Sequence, residues 1–193
     1  PDIIRNIALT KEYVYYEQSW YTSALYRQYG KVVESPWPGY RHDSPEIREL
    51  IENAIKQNVD RKTWHNGGDW WNGAFHLKLK NPGHRDLIHH HFKHGDCENG
   101  YSGVVYLNKT VPQNSGTKIW KNKETNSITG SYGPFFEYYN PEKWQLHQQI
   151  ENKYNRLVLF KGDVYHSGDQ GFGINLKDCR LFQTFFFNVQ RST

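Results

Sequence analysis

The sequence predicts an α+β protein, with helices in the N-terminal third followed by an antiparallel sandwich or barrel. Three observations predict it. Apolar residues recur at helical spacing before residue 70 and at a spacing of two after it. Aromatic residues make up 16% of the chain, methionine is absent and the mean hydropathy is −0.89. The core is therefore built from rings under broad polar loops, which favours strands. Finally, 193 residues suffice for one core and are short for two. The expectation is a single domain over 1–193, with a helical part at about 1–70 and a β core at about 71–190.

Each element has its own signal. From Thr10 to Gln28, the residues Tyr13, Tyr16, Trp20, Ala24 and Leu25 fall at helical spacing, and Gly30 stops the run. The segment "SPWPGYR" (35–41) forces a turn through its two prolines and glycine. A second helix follows: Asp43 or Ser44 can cap it, Pro45 suits its first turn, and Ile47, Leu50, Ile51, Ala54 and Ile55 line one face. Beyond residue 70, Phe75, Leu77 and Leu79 alternate with His76, Lys78 and Lys80 as in a half-buried strand, and Asn81-Pro82-Gly83 turns the chain. Further strands are expected at 103–108, 117–120, 156–160, 163–166 and 180–188, with a short helix over Pro141–Lys153 between them.

Composition excludes several classes. No apolar run approaches the roughly 18 residues of a membrane-spanning helix, and the N-terminus lacks the basic-then-apolar order of a secretory signal. The expectation is a cytoplasmic protein that does not engage a membrane. Two cysteines, Cys97 and Cys179, are too few for a disulfide framework. A net charge of +4 is compatible with an acidic partner, nucleic acid included, without indicating one.

The chemistry starts at "HFKHGDCENGYSGVVYLN" (91–108). Residues two apart on a strand share a face, so His94 and Asp96 can offer an imidazole and a carboxylate to one point. The pair is equally at home in a charged turn, and His84-Arg85-Asp86 repeats the pattern. A third ligand is available from "RLVLFKGDVYHSG", where His166 ends a strand. Two imidazoles and one carboxylate on a face of an octahedral ion suit Fe(II) and leave three positions open. His89, His90 and His91 form a run, but adjacent strand residues face opposite ways and all three cannot meet one ion, so the run reads as a sheet face or loop.

In order, His94-Gly95-Asp96, "YSGVVYLN", "SGTKIW", "NRLVLFKGDVYHSG" and "RLFQTFFFN" resemble the double-stranded β-helix, a jelly-roll and cupin-like core, of the Fe(II) and 2-oxoglutarate-dependent oxygenases. The likeness is greatest to the prolyl-hydroxylase-like branch and covers roughly 84–190. "PWPGYR", "YSGVVYLN", "NRLVLF" and "RLFQTFFF" also look like an oxygenase-like family of bacteria and their phages that has no established substrate.

The resemblance implies N-terminal helices packed outside the β core, and His94, Asp96 and His166 as the iron ligands. Arg180, 14 residues beyond His166, would clamp the distal carboxylate of 2-oxoglutarate. A guanidinium suits that task because its planar fork meets a carboxylate with two charge-assisted hydrogen bonds. Tyr106 would join the arginine there. Thr184, four residues on and so on the same side of the strand, could donate nearby. Position 182 is Phe, where many relatives have Ser or Thr two residues after the arginine. The implied reaction takes Fe(II), 2-oxoglutarate and O2, releases succinate and CO2, and hydroxylates a substrate C–H bond. Relatives that halogenate carry Gly or Ala at the carboxylate position, so Asp96 implies hydroxylation or a related oxidation. Protein side chains, amino acids, nucleobases and small metabolites all remain open as substrates. The alternative is a non-catalytic β-barrel module, such as a phage component, that retains the metal site.

The aromatic segments "TWHNGGDWWNGAF" (63–75) and "GPFFEYYNPEKW" (133–144) suit either a substrate-binding loop or a cap on the core.

Overall fold

The described strands form two antiparallel sheets. The structure is a computed structural model that describes residues 2–10, 45–66, 72–91, 100–130, 135–175 and 177–190. Helices α1 (Asp2–Leu9), α2 (Pro45–Ile55) and α3 (Arg61–Asn66) come first. Nine strands follow among the described residues: β1 (Ala74–Lys78), β2 (Leu87–His90), β3 (Tyr101–Tyr106), β4 (Thr117–Asn122), β5 (Phe135–Tyr138), β6 (Trp144–Ile150), β7 (Leu157–Lys161), β8 (His166–Gly168) and β9 (Arg180–Phe187). One sheet has the order β1-β9-β3-β7, the other β5-β2-β8-β4-β6. The α+β class with a strand-rich C-terminal part is as expected. No helix among the described residues is long and apolar enough to cross a membrane.

Alternation along β9 separates two environments. Leu181, Phe185 and Phe187 lie on one face and share an apolar cluster with Phe75, Val105, Leu107 and the helical residues Ala8, Ile47, Ile51 and Trp64. Arg180, Phe182, Thr184 and Phe186 have the opposite parity and face the second sheet. The Trp64 ring stacks on Phe185 with centroids 5.3 Å apart and sits against Phe187 at 5.6 Å. Of the two roles open to this aromatic segment, Trp64 has the core one; Trp70 and Trp71 lie outside the described residues.

Pro45 opens α2 as the sequence predicts, and Ile47 and Ile51 are buried on its inward side. The apolar stripe is narrower than expected, since Leu50 is 62% exposed. The helix expected over 10–28, the turn at 35–41 and the caps Asp43 and Ser44 lie outside the described residues, Thr10 apart.

The helix expected over Pro141–Lys153 is instead a turn followed by strand β6. The Asn140 carbonyl accepts the Trp144 N–H and the Asn140 side chain accepts the Glu142 N–H, closing the turn. From there Trp144–Ile150 pairs with β4 in reverse, Asn122 opposite Trp144 and Thr117 opposite Ile150. The buried Trp144 indole pins one end. A ladder of this length outweighs the local helix preference of Pro141 and the glutamines. The strand expected at 163–166 also shifts: Val164 makes only an isolated bridge to Thr129, and His166 begins β8 rather than ending a strand.

Candidate metal centre

Strand β2 ends in His89-His90 and the chain continues into His91. Alternation puts His89 and His91 on one side and His90 on the other. His89 is the cross-strand partner of His166 on β8, so their Cβ atoms start about 5 Å apart on one face. Three imidazoles converge as a result. Ring centroids are 4.2 Å apart for His89 and His166, 4.9 Å for His91 and His166, and 4.9 Å for His89 and His91. One ligand nitrogen from each lies within 4.8 Å of the others. Phe160 and Phe186, from the facing sheet, pack on His166 and His91 with centroids 4.6 Å away. The triad therefore lies between the sheets.

Main-chain carbonyls set the tautomers. His89 Nδ1 is 3.0 Å from the Leu87 oxygen, and His166 Nδ1 is 2.9 Å from the Val164 oxygen. A carbonyl only accepts, so each Nδ1 carries the proton and each Nε2 keeps its lone pair. The same outer-shell bond orients metal-binding histidines generally. Burial pulls the His89 pKa down to about 4 and pushes His166 well below the usual histidine value, in the second case helped by His89. Both are neutral at pH 7, the form that ligates. His91 Nε2 is 3.2 Å from His166 Nε2. Two nitrogens bound to one ion at about 2.1 Å and at right angles would be about 3 Å apart, so the residues fit a metal. An all-imidazole set suits Fe, Zn, Cu or Ni.

Of the three ligands expected from the sequence, His166 is in this cluster, while His94 and Asp96 lie outside the described residues, as does Cys97. His89 and His91 were the residues sequence reasoning passed over. The alternation argument against three adjacent histidines holds for His90, which packs against Tyr165 on the other side of β2 at 5.4 Å. The same argument joins the outer pair, and that i, i+2 spacing was the available signal. No family model, curated protein or solved structure matches this chain.

The polar residues beside the triad form one system. A Cβ placed on Gly168 would lie 3.2 Å from Arg180 Nη1. The guanidinium therefore occupies the space beside Gly168, two residues along β8 from His166 and on its face. Arg180 is 2% exposed. Its Nη1 donates to the Asp169 carbonyl at 2.7 Å and its Nη2 to the Gly116 carbonyl at 2.6 Å. Nε is buried with no partner. The Tyr106 hydroxyl lies 2.6 Å from Thr117 Oγ1 and close enough to Arg180 for the two to interact electrostatically, so these two predicted residues are near one another. Thr184 is elsewhere, with its hydroxyl 2.8 Å from His76 Nε2. Four residues of strand separate it from Arg180, about 13 Å.

Lys78 is the register partner of Arg180, and its ammonium donates to the Asp169 carbonyl at 2.8 Å and the Gly168 carbonyl at 3.2 Å. Burial, and then the Arg180 charge, pull its pKa down to about 7. The Asp169 carboxylate lies on the other side of β8. It accepts from Lys118 at 2.9 Å, from the Gly116 N–H at 2.9 Å and from Gln149. Asp86, of the second His-x-Asp pattern, is taken by Lys118 at 2.8 Å and Ser167 at 3.0 Å. Cys179 is buried, which pushes its thiol up to about 11.

Burial also lowers the His76 pKa to about 3. Between about pH 6.5 and that value the unfolded chain binds this proton and the folded one does not. The contribution of His76 to stability is therefore complete above pH 6.5 and is lost as pH falls, by up to about 1.4 kcal/mol per pH unit. Urea unfolding between pH 7 and 5 should show a falling midpoint, and His76→Gln, which keeps a bond to Thr184, should flatten the slope. An unchanged slope in the variant would remove His76 from the account.

Proposed function

We propose that the chain is a non-haem Fe(II) and 2-oxoglutarate-dependent oxygenase on a double-stranded β-helix, with His89, His91 and His166 holding the metal and Arg180 holding the far carboxylate of the oxoacid. The winding supports the fold: the chain changes sheet at each step from β1 to β4 and again from β6 to β9, as in a jelly roll. The observation that carries the function is the spacing along β8. The guanidinium sits beside Gly168, about 7 Å of strand from His166 and on the same face. A five-carbon 2-oxodiacid spans that interval, with its keto acid end at the histidines and its other carboxylate at Arg180.

Bound Fe(II) would supply oxygen activation coupled to oxoacid decarboxylation, giving succinate, CO2 and a hydroxylated substrate. This chain's residues do the rest. His89 and His166 are held as neutral Nε2 donors by Leu87 and Val164, Phe160 and Phe186 shield the rings from water, and Arg180 with Tyr106 orients the cosubstrate. One observation favours a second reading, a cupin-like metal protein without oxoacid chemistry: both Arg180 Nη atoms already donate to main-chain carbonyls. Anaerobic addition of Fe(II) and 2-oxoglutarate decides between them. The oxygenase reading expects a weak visible charge-transfer band and, on aeration, succinate; Arg180→Met should raise the oxoacid concentration needed by about tenfold or more. Metal binding with neither band nor succinate would leave the second reading.

A further inference from the structure

We propose that Lys78 and Arg180 together form the carboxylate seat, so that Lys78 is a second binding residue for the distal end of the oxodiacid. The proposal rests on the oxygenase reading for the identity of its ligand, and on charge and geometry for the seat itself.

The two cations are cross-strand partners on β1 and β9 and donate to the same oxygen, that of Asp169. Among the described residues neither meets a carboxylate oxygen. The carboxylate of Asp169 is turned to the opposite side of β8, where Lys118, Gln149 and the Gly116 N–H satisfy it. Among the described residues three basic side chains, Lys78, Lys118 and Arg180, are thus set against two carboxylates, Asp86 and Asp169. Buried cations that share a neutral carbonyl are not compensated by it. An incoming anion supplies the missing charge. Donors remain to receive it: Arg180 Nε is buried and unpartnered, and Lys78 uses two of its three N–H groups on carbonyls. Lys78 is also near enough to His89 to act on it electrostatically. A carboxylate there would take hydrogen bonds from both cations, and a mono-oxoacid such as pyruvate would leave them unpaired.

The test is calorimetric titration of 2-oxoglutarate, pyruvate and glutarate into the full chain, with and without Fe(II) under argon. Lys78→Met removes the charge and keeps the stem; Lys78→Gln removes the charge and keeps a donor for the Gly168 and Asp169 carbonyls. Both variants should bind 2-oxoglutarate about tenfold to a hundredfold more weakly, the loss of a charge-assisted bond, with unchanged metal content and unchanged pyruvate affinity. Wild-type affinity in Lys78→Met, or its restoration in Lys78→Gln, would overturn the proposal and leave the oxygenase reading standing. Lys78-dependent binding of glutarate without any metal-linked 2-oxoglutarate band would keep the seat and overturn the oxygenase reading. Absence of any diacid binding to the wild type would overturn both.

Discussion

His89→Ala, His91→Ala and His166→Ala should each lower metal affinity by about a hundredfold or more, because loss of an outer-shell partner alone typically costs about 10- to 100-fold and these changes remove a ligand. His90→Ala should not, since its ring faces Tyr165 on the other side of β2. Metal content after chelator competition, read by mass spectrometry, measures this directly. The paired variant His94→Ala/Asp96→Ala makes the comparison decisive. Retention of metal there, with loss in His89→Ala, assigns the site to the three histidines. The opposite pattern restores the His-x-Asp set and leaves His166 as the shared ligand. Stability should be read alongside: the three rings pack on one another and on Phe160 and Phe186, and their removal leaves a gap between the sheets, so a melting curve must show that each variant is folded before its metal content is interpreted.

Period-two alternation and apolar runs located β1, β3, β4, β7 and β9 to within a residue or two, because each strand has one face on an apolar cluster. It did not reveal β2, β5 or β6. The buried positions of β2 are Ile88 and His90 while Leu87 and His89 are half-buried, so its hydrophobicity does not alternate even though its burial does. β6 exposes Gln145, Leu146, His147 and Gln148, and only its pairing with β4 makes it a strand. The site followed the same logic. His166 stood out as a histidine at the end of an apolar strand, whereas Arg180 and Tyr106 were singled out by the family resemblance. His89 and His91 were hidden by His90, whose presence turned a two-residue spacing into a run. Lys78 was hidden too: as one of the polar residues alternating with Phe75 and Leu77 it read as the solvent side, whereas that face of β1 lies against Arg180 and the second sheet.

Asp169→Ala should cost about 3–5 kcal/mol of folding stability, the scale for leaving buried charge uncompensated. The Asp169 side chain is 1% exposed and answers two separate demands. Its carboxylate takes the Gly116 N–H and so fixes the loop whose carbonyl receives Arg180 Nη2. It also balances Lys118, and through space Lys78 and Arg180. Lys118→Met should cost less, because Asp169 would keep Gln149 and the Gly116 N–H, while Asp86 would keep Ser167. Asp169→Asn should fall between, since the amide oxygen still accepts from Gly116 but the charge is gone. Urea midpoints for the three variants rank these effects, and the double variant Asp169→Asn/Lys118→Met measures their coupling. If Asp169→Ala cost under about 1 kcal/mol, the range of an exposed ion pair, the carboxylate would not be the anchor of the Arg180 end. In that event the two main-chain carbonyls alone would have to hold the guanidinium in place.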